Sequence, residues 1–393
     1  MDFVDRDLRG PLLANAKHYP VVTVLGPRQS GKTTLVRSVF PDHGYCNLED
    51  PELRTLATQD PKEFLHRHRP PLILDEVQRV PSLLSLLQVR IDESPAEKGA
   101  FILTGSHQPR LRESISQSLA GRTSVLKLLP LSIAELAAAG VTQDRDEWLT
   151  YGCLPRLYRD ALPANDLYRN FYETYVERDV RQLIELRNLQ AFELFMKLLA
   201  GRVGQVLNLH ALSGEIGVSS PTLREWLSVL EASFVVFCLP PYYNNFGKRF
   251  IKSPKIYFTE PGLAAYLLEI RTPEQMGRDP LLGSLFENLV VMEALKSRWN
   301  QGVDPDLYHI RDSGGFEIDL ALSRQRQLFP VEIKAARSYR AEFAKNLKKS
   351  AQWSESIQPG AIIYAGEEEQ VVQGNSLLPF TKTGSWFQVR SSE

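Results

Sequence analysis

Cysteine is scarce: Cys46, Cys153 and Cys238 are the only three in 393 residues. They stand singly, without the paired spacing of a zinc site, and an odd, sparse count points to a reducing compartment rather than a disulfide framework. Long apolar runs are missing as well. The longest, such as FVVFCL at 234–239, fall far short of the ~20 residues a membrane-spanning helix needs. The opening MDFVDRDLRG carries acids and no apolar signal region. The expected location is therefore cytoplasmic, with no membrane partner. Neither sign of charge prevails: 46 Lys and Arg stand against 47 Asp and Glu, for a net charge of −1. That excludes a uniformly basic coat for nucleic acid and confines any such contact to local patches. Internal repeats and low-complexity linkers are also lacking.

What remains is a globular composition, 43% apolar and 24% charged. A chain of 393 residues exceeds one ordinary core and implies two or three domains of roughly 100–200 residues.

The stretch YPVVTVLGPRQSGKTTLVRSVF reads as a short strand, a loop opened by Gly26, and a helix with Leu35, Val36 and Val39 on one side. Gly26, four residues, then Gly31, Lys32 and Thr33 is the spacing of a phosphate-binding loop, whose backbone N–H groups wrap an anion at a helix N-terminus. Gly26, Pro27, Arg28, Gln29, Ser30, Gly31, Lys32, Thr33 and Thr34 are thus expected to bind nucleotide. Lys32 is expected to reach the β- and γ-phosphates, and Thr33 to offer its hydroxyl to Mg²⁺. Downstream, PPLILDEV is an apolar run ending in two carboxylates, as a buried parallel strand delivers acids to its C-terminal edge. Asp75 is the expected partner of Mg²⁺, and Glu76 the group that orients and deprotonates water. A third strand, GAFILTGS, brings Thr104 or Ser106 to the same edge, where either could sense the γ-phosphate or simply cap the next turn.

The blocks GPRQSGKTTL, LILDEVQRVP, LTGS and SLAGR together resemble the AAA+ superfamily, specifically prokaryotic ATPases that join an AAA core to an uncharacterised C-terminal domain. The resemblance implies ATP as cofactor, self-association, with a hexamer as the expected ring, and an arginine that completes a neighbouring subunit's site. Arg122 of SLAGR matches that finger. A guanidinium suits the role because it offers a fork of donors and keeps its charge. For a second sensor arginine only Arg178 suggests itself.

Past Pro130 the pattern turns helical, up to the long NDLYRNFYETYVERDVRQLIEL. Next, LNLHALSGEIGVSSPTLREWLSVLEASFVVFCL reads as two helices about a turn at Gly217, with β-rich segments after them, a winged helix-turn-helix pattern. Such a module either reads DNA or packs against other subunits. In the first case Ser220, Thr222 and Arg224 face the groove, and Lys248, Arg249, Lys252 and Lys255 lie near phosphates. An amphipathic helix bearing Glu287 then precedes strands holding Asp319, Glu332 and Lys334. Period-two spacing puts Glu332 and Lys334 on one face, able to converge with Asp319 into a Mg²⁺ site with an adjacent cation. This arrangement resembles the restriction-endonuclease-like PD-(D/E)xK fold, with Glu287 as the upstream acid and FEID in place of the leading PD. The basic run with Arg337, Arg340, Lys345, Lys348 and Lys349 is either a phosphate-facing surface or a solvated helix face.

The expected fold class is accordingly α/β: a P-loop AAA+ parallel-sheet core at 1–135, a helical lid or linker at 136–200, a winged helix at 201–275, and an α/β restriction-endonuclease-like domain at 276–393. The leading functional expectation is an ATP-hydrolysing, ring-forming machine acting on DNA, possibly branched, with a nuclease-like C-terminal half. The alternative is an ATP-controlled switch whose C-terminal half holds a protein partner and cuts nothing. A small-molecule kinase is disfavoured, since an Asp-Glu acid strand suits attack by water.

Overall fold

The apolar run VVTVL forms β1 (Val21–Leu25), buried along its whole length. A computed structural model describes residues 4–94, 97–106, 109–180, 188–242 and 252–392. Four further strands join β1 in an all-parallel sheet: β2 (Gly44–Asn47), β3 (Leu72–Asp75), β4 (Phe101–Gly105) and β5 (Thr123–Lys127), in the order β2-β3-β4-β1-β5. Both faces are covered, which is why these strands read as nearly continuous apolar runs. Val22, Val24, Ile73 and Ile102 pack with Leu8, Leu12, Leu35 and Val36 on one face. Residues of the other parity, Val21, Leu25, Leu74 and Leu103, enter the large core shared with the rest of the chain. Because β4 lies between β1 and β3, its C-terminal end stands between the phosphate loop and the acid pair. The crevice outside the carboxyl ends of such a sheet is where ligands bind.

Helices Ile133–Ala138, Arg145–Tyr151, Pro155–Asp160 and Ala164–Phe171 follow. The long stretch expected as a single helix changes to wider π-helical winding over Tyr172–Val180, with Tyr172, Tyr175 and Val176 all buried. The side chain of Arg178 and the residues 181–187 lie outside what the structure describes. Helices Leu209–Ile216 and Ser220–Ala232 meet at Gly217, which takes φ +76° at the end of the first. Ser219 caps the second by accepting from the Thr222 N–H. A two-stranded antiparallel ribbon follows, β6 (Val236–Leu239) with β7 (Lys255–Phe258). Lys248 and Arg249 lie outside the described residues.

The helix Leu282–Asn300 differs from its amphipathic expectation, since it is buried almost all round from Leu285 onward. Its charges survive burial because each is paired. Lys296 donates to Glu293 at 2.9 Å and to the Leu131 carbonyl at 2.8 Å, and Glu293 accepts the Ile133 N–H at 2.8 Å. Arg298 holds Asp306 at 2.9 Å. This helix packs on β10, β7, the region before Ile133 and the C-terminal helix Thr383–Ser392. Beside it lies a mixed sheet of β8 (Leu307–Arg311), β9 (Glu317–Arg324), β10 (Gln327–Lys334), β11 (Ala361–Tyr364), β12 (Gln370–Val372) and β13 (Asn375–Pro379), ordered β12-β13-β11-β10-β9-β8. Antiparallel pairing joins β8, β9 and β10, and parallel pairing joins β10, β11 and β13. Among the described residues no helix is long and apolar enough to cross a membrane.

Candidate active site

The loop between β1 and helix Lys32–Val39 is fixed by close approach. A Cβ on Gly26 would lie 2.1 Å from the Leu128 carbonyl oxygen, and Gly31 caps the helix at φ +91°. Both positions therefore need glycine. The Lys32 ammonium is buried and donates to the carbonyls of Gly26 at 3.1 Å and Pro27 at 2.8 Å. That leaves one of its three donors for a phosphate. Burial pulls its pKa below the usual lysine value, against the pull of Glu76 and Asp75. Arg6 braces the loop from behind. Its Nη1 donates to the Ser30 carbonyl at 2.7 Å, and its Nε to Glu135 at 2.9 Å.

Asp75, 2% exposed, is wrapped in hydroxyls. Thr33 Oγ1 stands 3.1 and 2.9 Å from its two oxygens, Tyr45 donates at 2.7 Å, and Thr104 donates as well. Glu76 begins the turn after β3 in left-handed backbone, φ 57° and ψ 45°, a conformation costly for a residue with a Cβ. Gln78 Nε2 donates both to Glu76 and, at 2.8 Å, to Ser106 Oγ. Gly105 leaves room for that bridge, since a Cβ there would lie 2.7 Å from Gln78 Oε1. Of the two third-strand hydroxyls, Thr104 serves the acids and Ser106 serves Gln78. A cavity of about 430 Å³ opens between Arg28, Gln29, Gly31, Lys32, Thr33, Thr34 and Glu76 on one side and Pro155, Arg156, Arg159, Thr174 and Tyr175 on the other.

The family description AAA domain matches residues 18–137, and two domains of unknown function, DUF8612 and DUF4143, match residues 142–274 and 282–383. An uncharacterized protein of Mycobacterium bovis is 32% identical over 366 residues, 92% of this chain and 80% of its own, and one of Mycobacterium tuberculosis matches to the same extent. This chain belongs to their family and carries an AAA domain. Among solved structures, the Walker-type ATPase of Pyrococcus abyssi is similar at 15% identity and a TM-score of 0.46, over 67% of this chain and 96% of that one.

In this AAA-domain protein Arg122 lies far from its own phosphate loop. It precedes β5 at the N-terminal edge of the sheet, whereas the loop leaves the opposite edge, roughly 16 Å along the strands. Its guanidinium grips Asp92 at 2.7 and 2.8 Å, on the surface. Arg156 and Arg159, by contrast, reach the cavity from a helix that no motif announced. Gln78 and Tyr45 were equally unmarked, although Gln78 is legible in hindsight, directly after the acid strand in LILDEVQ.

The C-terminal acids Asp319 and Glu332 converge on Lys334. Lys334 binds Glu332 at 2.6 Å and Asp319 at 3.1 Å, and Asp319 accepts the Ile333 N–H at 2.8 Å. Glu287 takes Lys255 at 2.8 Å and the Tyr257 hydroxyl at 2.6 Å, and Lys255 also holds Glu317 at 2.5 Å. Among the described residues no group of three acidic, His or Cys side chains converges to hold a metal ion. The residues of the expected Mg²⁺ triad, Glu287, Asp319 and Glu332, stand in two lysine-centred ion clusters, Lys255 with Glu287 and Glu317, and Lys334 with Asp319 and Glu332. Lys255, expected near phosphates, is instead fully buried. Burial pushes Glu287 up to about 7 and Glu332 up to about 8, with Asp319 repelling both. For Asp319 burial acts upward too, but Lys334 and Lys255 outweigh it and its carboxyl stays below the ordinary value. In the basic run, Arg337 reaches Asp144 and Asp146 at 3.3 and 3.4 Å, while Lys345, Lys348 and Lys349 are exposed.

Proposed function

We propose that the chain hydrolyses ATP with Mg²⁺ and works as a nucleotide-controlled switch. The observation that carries this is the meeting of the Thr33 hydroxyl with Asp75 beside the buried Lys32. Thr33 and Asp75 form an all-oxygen donor set of the kind Mg²⁺ takes, and the ion, when bound, neutralises phosphate charge. Lys32 binds phosphate oxygens with its remaining donor. Glu76 accepts a proton from the attacking water, and Gln78 positions it by tying it to Ser106. A switch is favoured over a second catalytic centre because the C-terminal acids are spent on Lys255 and Lys334. ATP turnover by the full chain with Mg²⁺, with chelator and as Lys32→Ala tests this. The expected result is turnover in the first case alone, and turnover surviving Lys32→Ala overturns it.

The DNA reading keeps a specific support: the exposed Pro221 and Arg224 on helix Ser220–Ala232, with exposed Lys345, Lys348 and Lys349. On that reading single-stranded, duplex or four-way-junction DNA stimulates turnover, and equal rates with and without DNA exclude it. Arg122 serves such a machine only in trans, as one subunit of a ring completing the next. Mixing Arg122→Ala with Lys32→Ala chains then restores part of the activity, and no recovery from a monomeric species refutes the ring.

A further inference from the structure

A second cavity, of about 610 Å³, lies on the β5 side of the parallel sheet, closed by three parts of the chain. Leu25 of β1 and its register neighbour Lys127 of β5 form one wall. Glu231, Phe234 and Phe237, at and after the end of helix Ser220–Ala232, form the second. Trp299 and Asp304, at and after the end of helix Leu282–Asn300, form the third. Small-molecule sites favour such junctions and this range of size. The inner lining is aromatic. Phe234 and Phe237 meet the Trp299 ring edge-on, with centroids 5.8 and 6.4 Å apart and planes at 85° and 83°. Phe234 takes left-handed backbone, φ +55°, just past the helix end, where glycine is the usual residue. A bulky ring is kept there against that cost. The charges of the lining are of both signs. Lys127 Nζ stands 4.7 Å from the centroid of Trp299, and Glu231 and Asp304 are exposed at the mouth.

We propose that this cavity binds a small zwitterion with an aromatic body, of the aromatic α-amino acid class. Trp299, Phe234 and Phe237 receive the ligand's ring, since edge-to-face and offset contacts are the favoured ones between aromatic groups. Lys127 takes the ligand's carboxylate, and Glu231 and Asp304 take its ammonium, in charge-assisted hydrogen bonds. The mixed charges also select against simpler ligands. An anion without an ammonium faces two carboxylates, which disfavours a nucleotide here, and a cation without a carboxylate faces the Lys127 ammonium. A ligand so held joins the edge of the parallel sheet to both later parts of the chain. Because it binds the folded chain alone, it stabilises the fold.

The test is isothermal titration calorimetry, with thermal melting, on the full chain. L-phenylalanine and L-tryptophan are the probes, and phenethylamine and 3-phenylpropionate their one-charge analogues. At least one amino acid is expected to bind saturably and raise the melting temperature, with each analogue about tenfold weaker or more, the weight of one charge-assisted hydrogen bond. Lys127→Met weakens the amino acid by a similar factor and leaves phenethylamine no weaker. Glu231→Gln/Asp304→Asn weakens the amino acid and leaves 3-phenylpropionate no weaker. These side chains are half-buried or exposed, so the melting temperatures of the unliganded variants stay near that of the parent. Where a variant fails to fold, the analogue series on the parent decides alone. Failure of both amino acids to bind the parent up to their solubility limits overturns the proposal. So does equal affinity for the one-charge analogues, or an affinity unmoved by Lys127→Met and by the acid variants.

Discussion

The acids and lysines around the phosphate loop and those of the chain's later part use the same side chains to opposite ends. Around the phosphate loop, Lys32 is held by backbone carbonyls and Asp75 by hydroxyls, so cation and carboxylates stay apart beside an open cavity. Farther along, Lys255 of β7 and Lys334 of β10 are in direct contact with Glu287, Glu317, Asp319 and Glu332. A cation held by neutral acceptors keeps its charge for a ligand. One locked to carboxylates has already spent it, and its worth lies in the penalty for separation. The first arrangement leaves its cation open to a ligand, and in the second Lys255 joins β7 to the helix Leu282–Asn300 and to Glu317 of β9.

The largest effect that would sharpen this contrast is catalytic. Glu76→Gln is expected to lower ATP turnover by roughly 100- to 10,000-fold, the usual weight of a general base. Nucleotide binding and melting temperature are retained. Parental turnover in that variant removes Glu76 from the chemistry.

For the later acids and lysines the prediction runs the other way. Lys255→Ala leaves Glu287 and Glu317 buried or half-buried without their cation and is expected to cost about 3–5 kcal/mol of stability, the range for breaking a buried pair. Chemical denaturation measures it, and a loss no larger than that of a surface lysine variant breaks the comparison. ATP binding by whatever fraction remains folded is expected to be normal.

The smallest effect is a pH dependence near the second cluster. His309 is buried, donates from Nε2 to the Ser253 carbonyl at 3.1 Å, and is pulled down to about 4 by burial and by the nearby Lys255 charge. The unfolded chain, with an ordinary imidazole, binds the proton first, so stability falls as pH drops from about 6.5 towards 4. His309→Gln flattens that limb in melting curves recorded from pH 4 to 7. An unchanged slope assigns it to other groups.

The sequence by itself determined the phosphate-loop core. A glycine-spaced loop after an apolar strand, and an apolar strand ending in Asp75 and Glu76, are local patterns whose chemistry follows from spacing and from period-two burial. It also put Glu332 and Lys334 on one side of β10, where they touch. Partners at long separation were decided only by tertiary structure. Arg6 reaches Ser30 and Glu135, Lys255 reaches Glu287 and Glu317, and Arg156 and Arg159 face the phosphate loop from more than a hundred residues away. No periodicity encodes such meetings. An isolated lysine or arginine reads the same whether it ends in solvent, in a ligand cleft or between two carboxylates. Burial and counter-charge choose among these fates, and both are properties of the folded chain.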